Sequence, residues 1–320
     1  MSDPVPYPLL LEPRYIEKVW GGRRMERVFG RALPGDGPIG ESWEMFDRPA
    51  GSSVVRNGPL AGRTLRQLRG GTGLPLLLKV LDIGGNISVQ VHPDDATAKA
   101  HGTEPKTEAW IVLEADPGAR IWRGFRDGVT PEVFQDAMTK GRVLETLHSF
   151  TPVAGDVVLV QAGVVHAMGG GILAVEIQQS SETTYRLWDW DREGDGRRLQ
   201  REPAMQALRF HSAGPDRIVP REEEDEGGIR RTLLVANRWF AAEHLTVPGI
   251  STFANPRDDA DRWHMLFVLK GRGRVRAFDR RAPEAPFLPG DTILLPAGHE
   301  SYEVEPEDGT TVEALAFREG

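Results

Sequence analysis

The sequence predicts a mainly β fold with a few short helices, arranged as two similar units, and three observations support this. The 36 glycines and 24 prolines separate many short apolar runs, which is typical of strands joined by frequent turns. Residues 290–298 (GDTILLPAG) repeat the turn, strand and turn of residues 155–163 (GDVVLVQAG). Upstream of them, residues 264–269 (HMLFVL) likewise repeat residues 108–113 (EAWIVL). We therefore expect the C-terminal unit to be a second copy of the same β architecture.

The amino-acid composition limits which side chains can bind a metal and which partners the protein can have. The net charge is -8 and the pI is about 5.6, which argues against a nucleic-acid partner. The chain has no cysteine, so His, Glu, Asp and Gln must coordinate any metal. No stretch approaches the roughly 18 apolar residues of a membrane span, and the run at residues 9–11 is too short for a signal peptide. We expect a cytoplasmic protein without a membrane partner, and the sequence does not indicate its oligomeric state.

The elements of the first unit follow from local patterns, taken in chain order. Residues 74–81 (LPLLLKVL) form a nearly unbroken apolar run, which predicts a strand buried on both faces. Asp94 and Asp95 are suited to cap a short alanine-containing helix. Residues 130–132 (TPE) combine a cap, a proline and an acid, and predict a second helix that ends near Gly141.

Two further patterns concern packing and domain organisation. Residues 20–22 (WGG) and 40–44 (GESWE) each join small residues to a tryptophan, which predicts a buried tryptophan beside a tight turn.

Residues 221–228 (REEEDEGG) form a charge run that ends in paired glycines, which is typical of an exposed linker. We therefore predict a catalytic domain at residues 1–225, with a small helical segment, and a C-terminal domain at residues 226–320.

Functional side chains concentrate on a short predicted strand before Pro93. With a period of two residues, Val89 and Val91 point to one side, and Ser88, Gln90 and His92 point to the other. Gln90 and His92 are spaced to reach one metal ion. A single histidine on a strand is more often structural, so this pattern needs partners elsewhere in the chain.

Later segments supply such partners. Glu108 begins a predicted strand, and His166 follows the turn of residues 155–163. Two imidazoles, a carboxylate and an amide oxygen suit Zn²⁺ or another divalent first-row ion, with positions left open for substrate. Position 166 corresponds to Ser301 in the second copy, so we expect one divalent metal per chain and none in the C-terminal domain.

Positive charge is expected beside this metal site. Lys106 shares a strand face with Glu108, Arg186 lies in a β-branched and aromatic run, and Ser88 adds a hydroxyl. Together these groups form a plausible phosphate cradle in an acidic protein. Glu176 lies on another predicted strand that leads to the same region, and it is our candidate for a general base.

Seven motifs together resemble the type I mannose-6-phosphate isomerases of the short bacterial form, zinc enzymes of the cupin superfamily. They are residues 20–22 (WGG), 40–44 (GESWE), 88–95 (SVQVHPDD), 106–108 (KTE), 165–167 (VHA), 176–179 (EIQQ) and 184–186 (TYR). Two local departures, Met168 after the VHA motif and Met45-Phe46 after the GESWE motif, remove no chemical group. The large helical insertion of longer members is absent.

The resemblance implies two cupin-type (jelly-roll) β-barrel domains, with a sugar phosphate as small-molecule partner. It places the metal ligands at Gln90, His92, Glu108 and His166. It also places a substrate-site serine, lysine and arginine at the remaining positions: Ser88, Lys106 and Arg186.

The implied reaction interconverts mannose 6-phosphate and fructose 6-phosphate through an enediolate. Arg186 would stabilise its negative charge or hold the phosphate. Two alternatives stay open at this point. An iron-dependent cupin oxygenase needs only two histidines and a carboxylate, but Gln90 and the positive charges of Lys106 and Arg186 argue against it. A sugar-phosphate-binding module without turnover is the other alternative, and the intact ligand set argues against that.

Overall fold

The computed structural model describes residues 7–71, 73–192, 197–223, 225, 227–254, 263–278, 281–296, 301–307 and 309–320. The helices are α1 (Arg24–Phe29), α2 (Leu65–Leu68), α3 (Asp95–His101), α4 (Pro131–Thr139) and α5 (Arg201–Ala207), with 3₁₀ turns at Gly58–Leu60 and Val143–Thr146. The strands of the N-terminal half are β1 (Leu9–Leu10), β2 (Arg14–Gly22), β3 (Ile39–Met45), β4 (Asp47–Arg48), β5 (Gly51–Ser52), β6 (Leu76–Ile83), β7 (Val89–Val91), β8 (Glu108–Ala115), β9 (Arg120–Phe125), β10 (Leu147–Phe150), β11 (Val157–Val160), β12 (His166–Gly169), β13 (Ile172–Gln179) and β14 (Tyr185–Trp188). The remaining strands are β15 (Arg221–Glu222), β16 (Arg230–Ala236), β17 (Phe240–Val247), β18 (Ser251–Ala254), β19 (His264–Lys270), β20 (Gly273–Ala277), β21 (Ala285–Phe287), β22 (Thr292–Leu295), β23 (Ser301–Pro306) and β24 (Val312–Glu319). The predicted mainly β fold with a few short helices is confirmed.

Four larger sheets build the two units. The first unit contains a six-stranded sheet in the order β11-β8-β13-β6-β2-β3 and a five-stranded sheet in the order β10-β9-β12-β7-β14. The second contains a seven-stranded sheet in the order β1-β22-β19-β24-β17-β16-β15 and a four-stranded sheet in the order β18-β23-β20-β21. A small β4–β5 hairpin accompanies them.

Strand pairing follows the repeat seen in the sequence. Glu108 pairs with Val160 between β8 and β11, and His264 pairs with Leu295 at the matching position between β19 and β22. The next strand of each sheet, β13 or β24, pairs on the other side of β8 or β19. Residues 297–300, which include the end of the repeated segment, lie outside the described residues. The second unit is thus built on the same strand order as the first.

The six-stranded sheet lies in the middle of the molecule. On one face, Leu81 and Trp110 share a core cluster with Val91 of the five-stranded sheet. On the other face, Val80 shares a larger core cluster with Phe317 of the seven-stranded sheet. Every residue of β6 is buried as a result, as predicted for the apolar run at residues 74–81.

The two helices predicted from capping signals are present. Asp94 accepts a hydrogen bond from the backbone of Thr97 (2.9 Å) at the start of α3, and Thr130 caps α4 in the same way. The second helix ends at Thr139, two residues before Gly141, which adopts a left-handed conformation. No helix in the described part of the chain has the length and apolar character needed to cross a membrane.

Glycine allows β2 and β3 to approach closely. A Cβ on Gly21 would lie 2.5 Å from the backbone nitrogen of Gly40, and one on Gly40 would lie 2.7 Å from the ring of Trp20. Both tryptophans of these motifs, Trp20 and Trp43, are buried, as predicted, but the motifs lie within strands β2 and β3, so the tight turn predicted beside them is wrong. The two tryptophans have a second role, because they also line the cavity that holds the predicted site residues.

The boundary predicted at residue 225 remains a proposal, and the strand pairing bears on it. The predicted linker begins with Arg221 and Glu222, which form the exposed edge strand β15 against β16. At the other end of the chain, Leu9 of β1 pairs with Leu294 of β22. Two short strands that precede the boundary therefore belong to the sheet of the second unit. Residues 224 and 226 of the predicted linker lie outside the described residues.

Candidate metal centre

Three predicted site residues lie side by side in the five-stranded sheet. Gln90 on β7 pairs with His166 on β12 and with Arg186 on β14. Residues that are directly opposite on antiparallel strands project to the same face, so these three side chains point to one side of the sheet. Val89 and Val91 point to the other side and are fully buried. The alternation predicted for this strand is therefore present.

The facing six-stranded sheet supplies a second row of polar side chains. Glu176 on β13 lies opposite Trp110 on β8 and opposite Lys79 on β6. Glu108 is two residues before Trp110 and projects to the same face. A cavity of about 270 Å³ separates the two rows, with Glu108 on one wall and Gln90 on the other.

His92, Glu108 and His166 form a compact group at this cavity. Nε2 of His92 lies 3.4 Å from one oxygen of Glu108, and Nε2 of His166 lies 3.4 Å from the other. Ligand atoms of the three residues all lie within 4.8 Å of one another, and all three side chains are buried. In the described part of the chain, no other set of three or more His, Asp or Glu side chains comes together in this way.

Backbone carbonyls fix both imidazole rings. Nδ1 of His92 donates to the carbonyl of Thr183 (2.8 Å), and Nδ1 of His166 donates to the carbonyl of Val164 (2.9 Å). A carbonyl can only accept, so the proton must lie on Nδ1 and each Nε2 keeps a lone pair. Metal-ligating histidines use this arrangement to set ring orientation and tautomer.

Gln90 is placed next to the group, but its amide nitrogen faces His166. Nε2 of Gln90 donates to Nε2 of His166 (3.1 Å), while Oε1 accepts from Ser88 Oγ (3.0 Å). As a metal ligand, Gln90 must turn its amide by 180° so that Oε1 takes the place of Nε2. Ser88 is able to accept from the turned NH₂ group, because a hydroxyl both donates and accepts.

The charges in the group suit metal binding. Burial opposes ionisation of Glu108, but Lys106 and His92 hold the pKa of its carboxyl well below the usual range. Lys106 Nζ lies 2.7 Å from a Glu108 oxygen. Burial also lowers the pKa of both imidazoles, that of His166 to about 3. Two neutral imidazoles and one carboxylate are the protonation states that bind a divalent metal.

A buried atom without a partner supports the same conclusion. Nε2 of His92 has almost no exposed surface and makes no hydrogen bond to any described residue, although a buried polar atom normally has a partner. Oε1 of Glu108 likewise accepts no hydrogen bond. Nitrogen and oxygen donors of this kind are the ligands of Zn²⁺ and related ions. The residues present therefore fit a divalent metal.

Glu176 is held by a chain of alternating charges that the sequence did not reveal. Trp110 Nε1 donates to Glu176 (3.1 Å), and Lys79 Nζ lies 3.3 Å from its other oxygen. Lys79 also approaches Glu41 (3.6 Å), which in turn pairs with Lys18 (3.1 Å). Burial raises the pKa of the Glu176 carboxyl. By contrast, Lys79 and Lys18 overcome burial and lower the pKa of Glu41 to about 2.

The sequence contained one signal for this network. Lys79 interrupts an apolar run that is otherwise suited to a doubly buried strand. A charged residue is almost never fully buried unless it is paired, so such an interruption indicates a buried partner of opposite charge. The sequence could not identify the partner, because Glu176 is brought to Lys79 only by the pairing of β13 with β6.

Arg186 differs from the lysines of the cavity. No carboxylate of the described residues lies within ion-pair distance (4.0 Å) of its guanidinium, and its Nε is buried without a hydrogen bond. Burial and the neighbouring Arg197 lower the pKa of Arg186. A half-buried guanidinium that has no counter-ion among the described residues favours the binding of an anion.

The structure brings all the sequence-predicted site residues to one region. Six of them line the cavity: Ser88, Gln90, Lys106, Glu108, Glu176 and Arg186. His92 and His166 contact Glu108 without lining the cavity itself.

Comparisons with known proteins identify the family of this chain. The family model "Phosphomannose isomerase type I, catalytic domain" matches residues 9–110. A probable mannose-6-phosphate isomerase (GmuF) of Bacillus subtilis is 34% identical, over 93% of this chain and 96% of its own length. The mannose-6-phosphate isomerase of Streptococcus mutans is 32% identical, over 93% of this chain and 95% of its own length.

Solved structures show the same fold. The crystal structure of mannose 6-phosphate isomerase from Bacillus subtilis is 28% identical, covers 97% of this chain and 99% of its own, and has a TM-score of 0.83. A zinc-bound mannose 6-phosphate isomerase is 15% identical over 98% of this chain and 99% of its own, with a TM-score of 0.72. These structures are of the cupin type, which confirms the predicted fold class.

Proposed function

The chain belongs to the type I mannose-6-phosphate isomerase family and is an aldose–ketose isomerase, and from this premise we propose which of its residues perform the reaction. The substrate is a small sugar phosphate, mannose 6-phosphate, which is converted to fructose 6-phosphate in the cavity between the two sheets of the first unit. A cytoplasmic location is part of the proposal. The observation that carries it is the buried group of His92, Glu108 and His166, of which Glu108 lines that cavity.

Gln90, His92, Glu108 and His166 are the proposed ligands of one divalent metal, with Zn²⁺ the best fit to this donor set. When bound, such an ion acts as a Lewis acid that stabilises negative charge developing on the sugar oxygens. The carbonyls of Thr183 and Val164 orient the two imidazoles for this purpose.

Glu176 is the proposed base that moves a proton between C1 and C2 of the open-chain sugar. Trp110 and Lys79 each donate to one of its oxygens, so the carboxylate is fixed while each oxygen keeps a lone pair for the proton. Burial raises its pKa, and a raised pKa brings a carboxylate closer to the range in which a base is effective.

Arg186, Lys106 and Ser88 are the proposed substrate contacts. No carboxylate of the described residues pairs with the guanidinium of Arg186, so it is available for the negative charge of the enediolate. Lys106 lies on the cavity wall beside Glu108 and is suited to hold a sugar oxygen. The oxygenase and the binding module considered above lose their support, because the relatives are mannose-6-phosphate isomerases.

Metal removal tests the proposed function. Purified protein is expected to form fructose 6-phosphate from mannose 6-phosphate in a coupled assay. Treatment with a chelator should abolish this activity, and Zn²⁺ should restore it, with metal content followed by elemental analysis. Full activity in metal-free protein would contradict the proposed ligand set.

The second copy gives a prediction about stoichiometry. Ser301 opens β23 at the position where His166 opens β12, so the second unit lacks an equivalent ligand. We expect one metal per chain by elemental analysis, and the same value in His264→Gln. A value near two that drops to one in this variant would contradict the prediction.

Lys106 gives a prediction about binding. A residue that holds a sugar oxygen equally in the ground state and the transition state contributes mainly to KM. Lys106→Met should therefore raise KM more than it lowers kcat in steady-state assays. Lys140→Met is a matched control, because Lys140 is exposed, does not line the cavity and pairs with the exposed Asp136. A larger effect on kcat than on KM would assign Lys106 to the chemical step instead.

A further inference from the structure

A second guanidinium group, that of Arg197, lines the cavity together with Arg186. The proposed function uses Arg186 at the reacting carbons and assigns no role to Arg197. We propose that Arg197 binds the phosphate group of the substrate and that Asp189 holds its guanidinium in place. This inference rests on the proposed function, because it requires a sugar phosphate in the same cavity.

A buried carboxylate fixes Arg197 in place. Nε and Nη2 of Arg197 donate to the two oxygens of Asp189, with Nη2 2.8 Å from Oδ1. The Asp189 side chain is only 3% exposed and that of Arg197 15%. This paired contact uses one edge of the guanidinium, and Nη1 has no partner in the described part of the chain. Nη1 therefore retains two protons for an acceptor that enters the cavity.

The loop that follows Asp189 is anchored to the chain just before Ser88. Trp190 and Asp191 adopt left-handed conformations (φ 57° and 55°), which are uncommon and strained for residues other than glycine. In this conformation Trp190 Nε1 donates to the carbonyl of Ile87 (2.7 Å). Arg192 adds a second anchor, because its Nη2 donates to the carbonyl of Asn86 (2.8 Å). The two strained residues therefore lie in a segment that fixes one wall of the cavity.

Positive charge in this region exceeds the nearby negative charge. Arg192 and Arg197 both pair with Asp189, and Arg186 has no carboxylate within ion-pair distance among the described residues. Two guanidinium groups thus share Asp189 and a third has no carboxylate partner among the described residues, while the carboxylate of Asp191 accepts from Trp188 Nε1 (3.0 Å). A phosphate monoester, which carries close to two negative charges at neutral pH, is suited to guanidinium groups in this arrangement.

The other charged side chains of the cavity are already paired. Among the lysines, Lys18 lies 3.1 Å from Glu41, and Lys106 lies 2.7 Å from Glu108. Lys79 is buried between two carboxylates. The remaining acidic residue of the cavity wall, Glu182, pairs with Arg48 (3.6 Å) outside it. The arginine side of the cavity is therefore the side that favours a dianion.

The test compares Arg197→Met with the wild-type enzyme. The variant should raise KM for mannose 6-phosphate by roughly tenfold to a hundredfold, the scale expected from loss of a hydrogen bond between charged groups. The fall in kcat should be much smaller than the rise in KM, because phosphate is held equally before and during the reaction. The inhibition constant of inorganic phosphate should rise by a similar factor.

Arg198→Met is the matched control, since Arg198 is the exposed neighbour of Arg197 and does not line the cavity. Its KM and its affinity for inorganic phosphate should equal those of the wild type. Circular dichroism melting should show that Arg197→Met is folded, and Arg197→Lys, which keeps the charge but not the fork, should recover part of the phosphate affinity. An unchanged KM and an unchanged phosphate inhibition constant in folded Arg197→Met would overturn the assignment.

The Asp189→Asn variant tests whether Asp189 acts by positioning Arg197 or only by stabilising the fold. If Asp189 acts on phosphate through Arg197, this change should raise KM in the wild-type background but add little in the Arg197→Met background. Additive effects in the double variant would overturn the positioning role. Calorimetric titration with inorganic phosphate needs no turnover, so it decides the role of Arg197 even if the isomerase assay of the wild type fails.

Discussion

Replacing His166 with alanine is expected to remove the bound metal and the isomerase activity together. A catalytic metal supplies several kcal/mol of stabilisation to charge in the transition state, so kcat/KM should fall by about a thousandfold or more. The fold should survive, because the surrounding core is made by other buried side chains, among them Val89, Val91 and Val165. Elemental analysis and the coupled assay on the same preparation measure both effects.

His148→Ala is the matched control for this experiment. His148 is exposed and lies 2.8 Å from Asp216, away from the metal centre. It should retain metal and activity. Full metal occupancy in the folded His166→Ala variant would remove His166 from the ligand set.

Replacing Arg186 with methionine is expected to lower kcat by roughly a hundredfold or more, the scale measured when one donor to a developing oxyanion is removed. Its guanidinium lies on the cavity wall in register with Gln90, and no carboxylate in the described part of the chain pairs with it, so it can contact the enediolate. The loss should persist at saturating substrate. Steady-state kinetics over a wide range of mannose 6-phosphate concentrations is the measurement.

The Arg186→Lys variant tests whether the positive charge is sufficient or the planar guanidinium is also needed. Lysine keeps the positive charge but lacks the planar fork, so it should recover only part of the lost kcat. A near-normal kcat for Arg186→Met with saturating substrate would limit Arg186 to binding. In that case other groups of the cavity, first of all Lys106, would have to stabilise the enediolate.

Local patterns predicted much of the candidate site. The alternation around Gln90 assigns its side chain to one face, because strand periodicity is a property of neighbouring residues. The apolar run at residues 74–81 predicts a doubly buried strand for the same reason. Capping residues such as Asp94 and Thr130 also act within a few positions, and both helix starts follow from them.

Other features depend on contacts between distant segments and could not be predicted. Glu176 and Lys79 meet only through the register of two strands that are far apart in the chain. The role inferred for Arg197 depends on Asp189 and on an anchor to Ile87, which no local pattern specifies. The apolar run of β6 predicts that its sheet is buried on both faces, but it does not predict which sheet covers each face.

The pairing of β1 with β22 has a consequence for how the protein folds. Leu9 and Leu10 leave the ribosome long before Leu294 and Ile293, yet they complete the same sheet. The second unit thus cannot complete the β1 edge of its sheet from its own residues, whereas both sheets of the first unit are built from strands β2–β14. Contacts that span nearly the whole chain are also slow to form, since the entropy of closing so large a loop is lost before the contact stabilises it. Renaturation from denaturant should accordingly show late burial of these leucines, and a fragment that begins at residue 221, and so keeps β15, should be less stable than the same fragment with a peptide of the β1 sequence added.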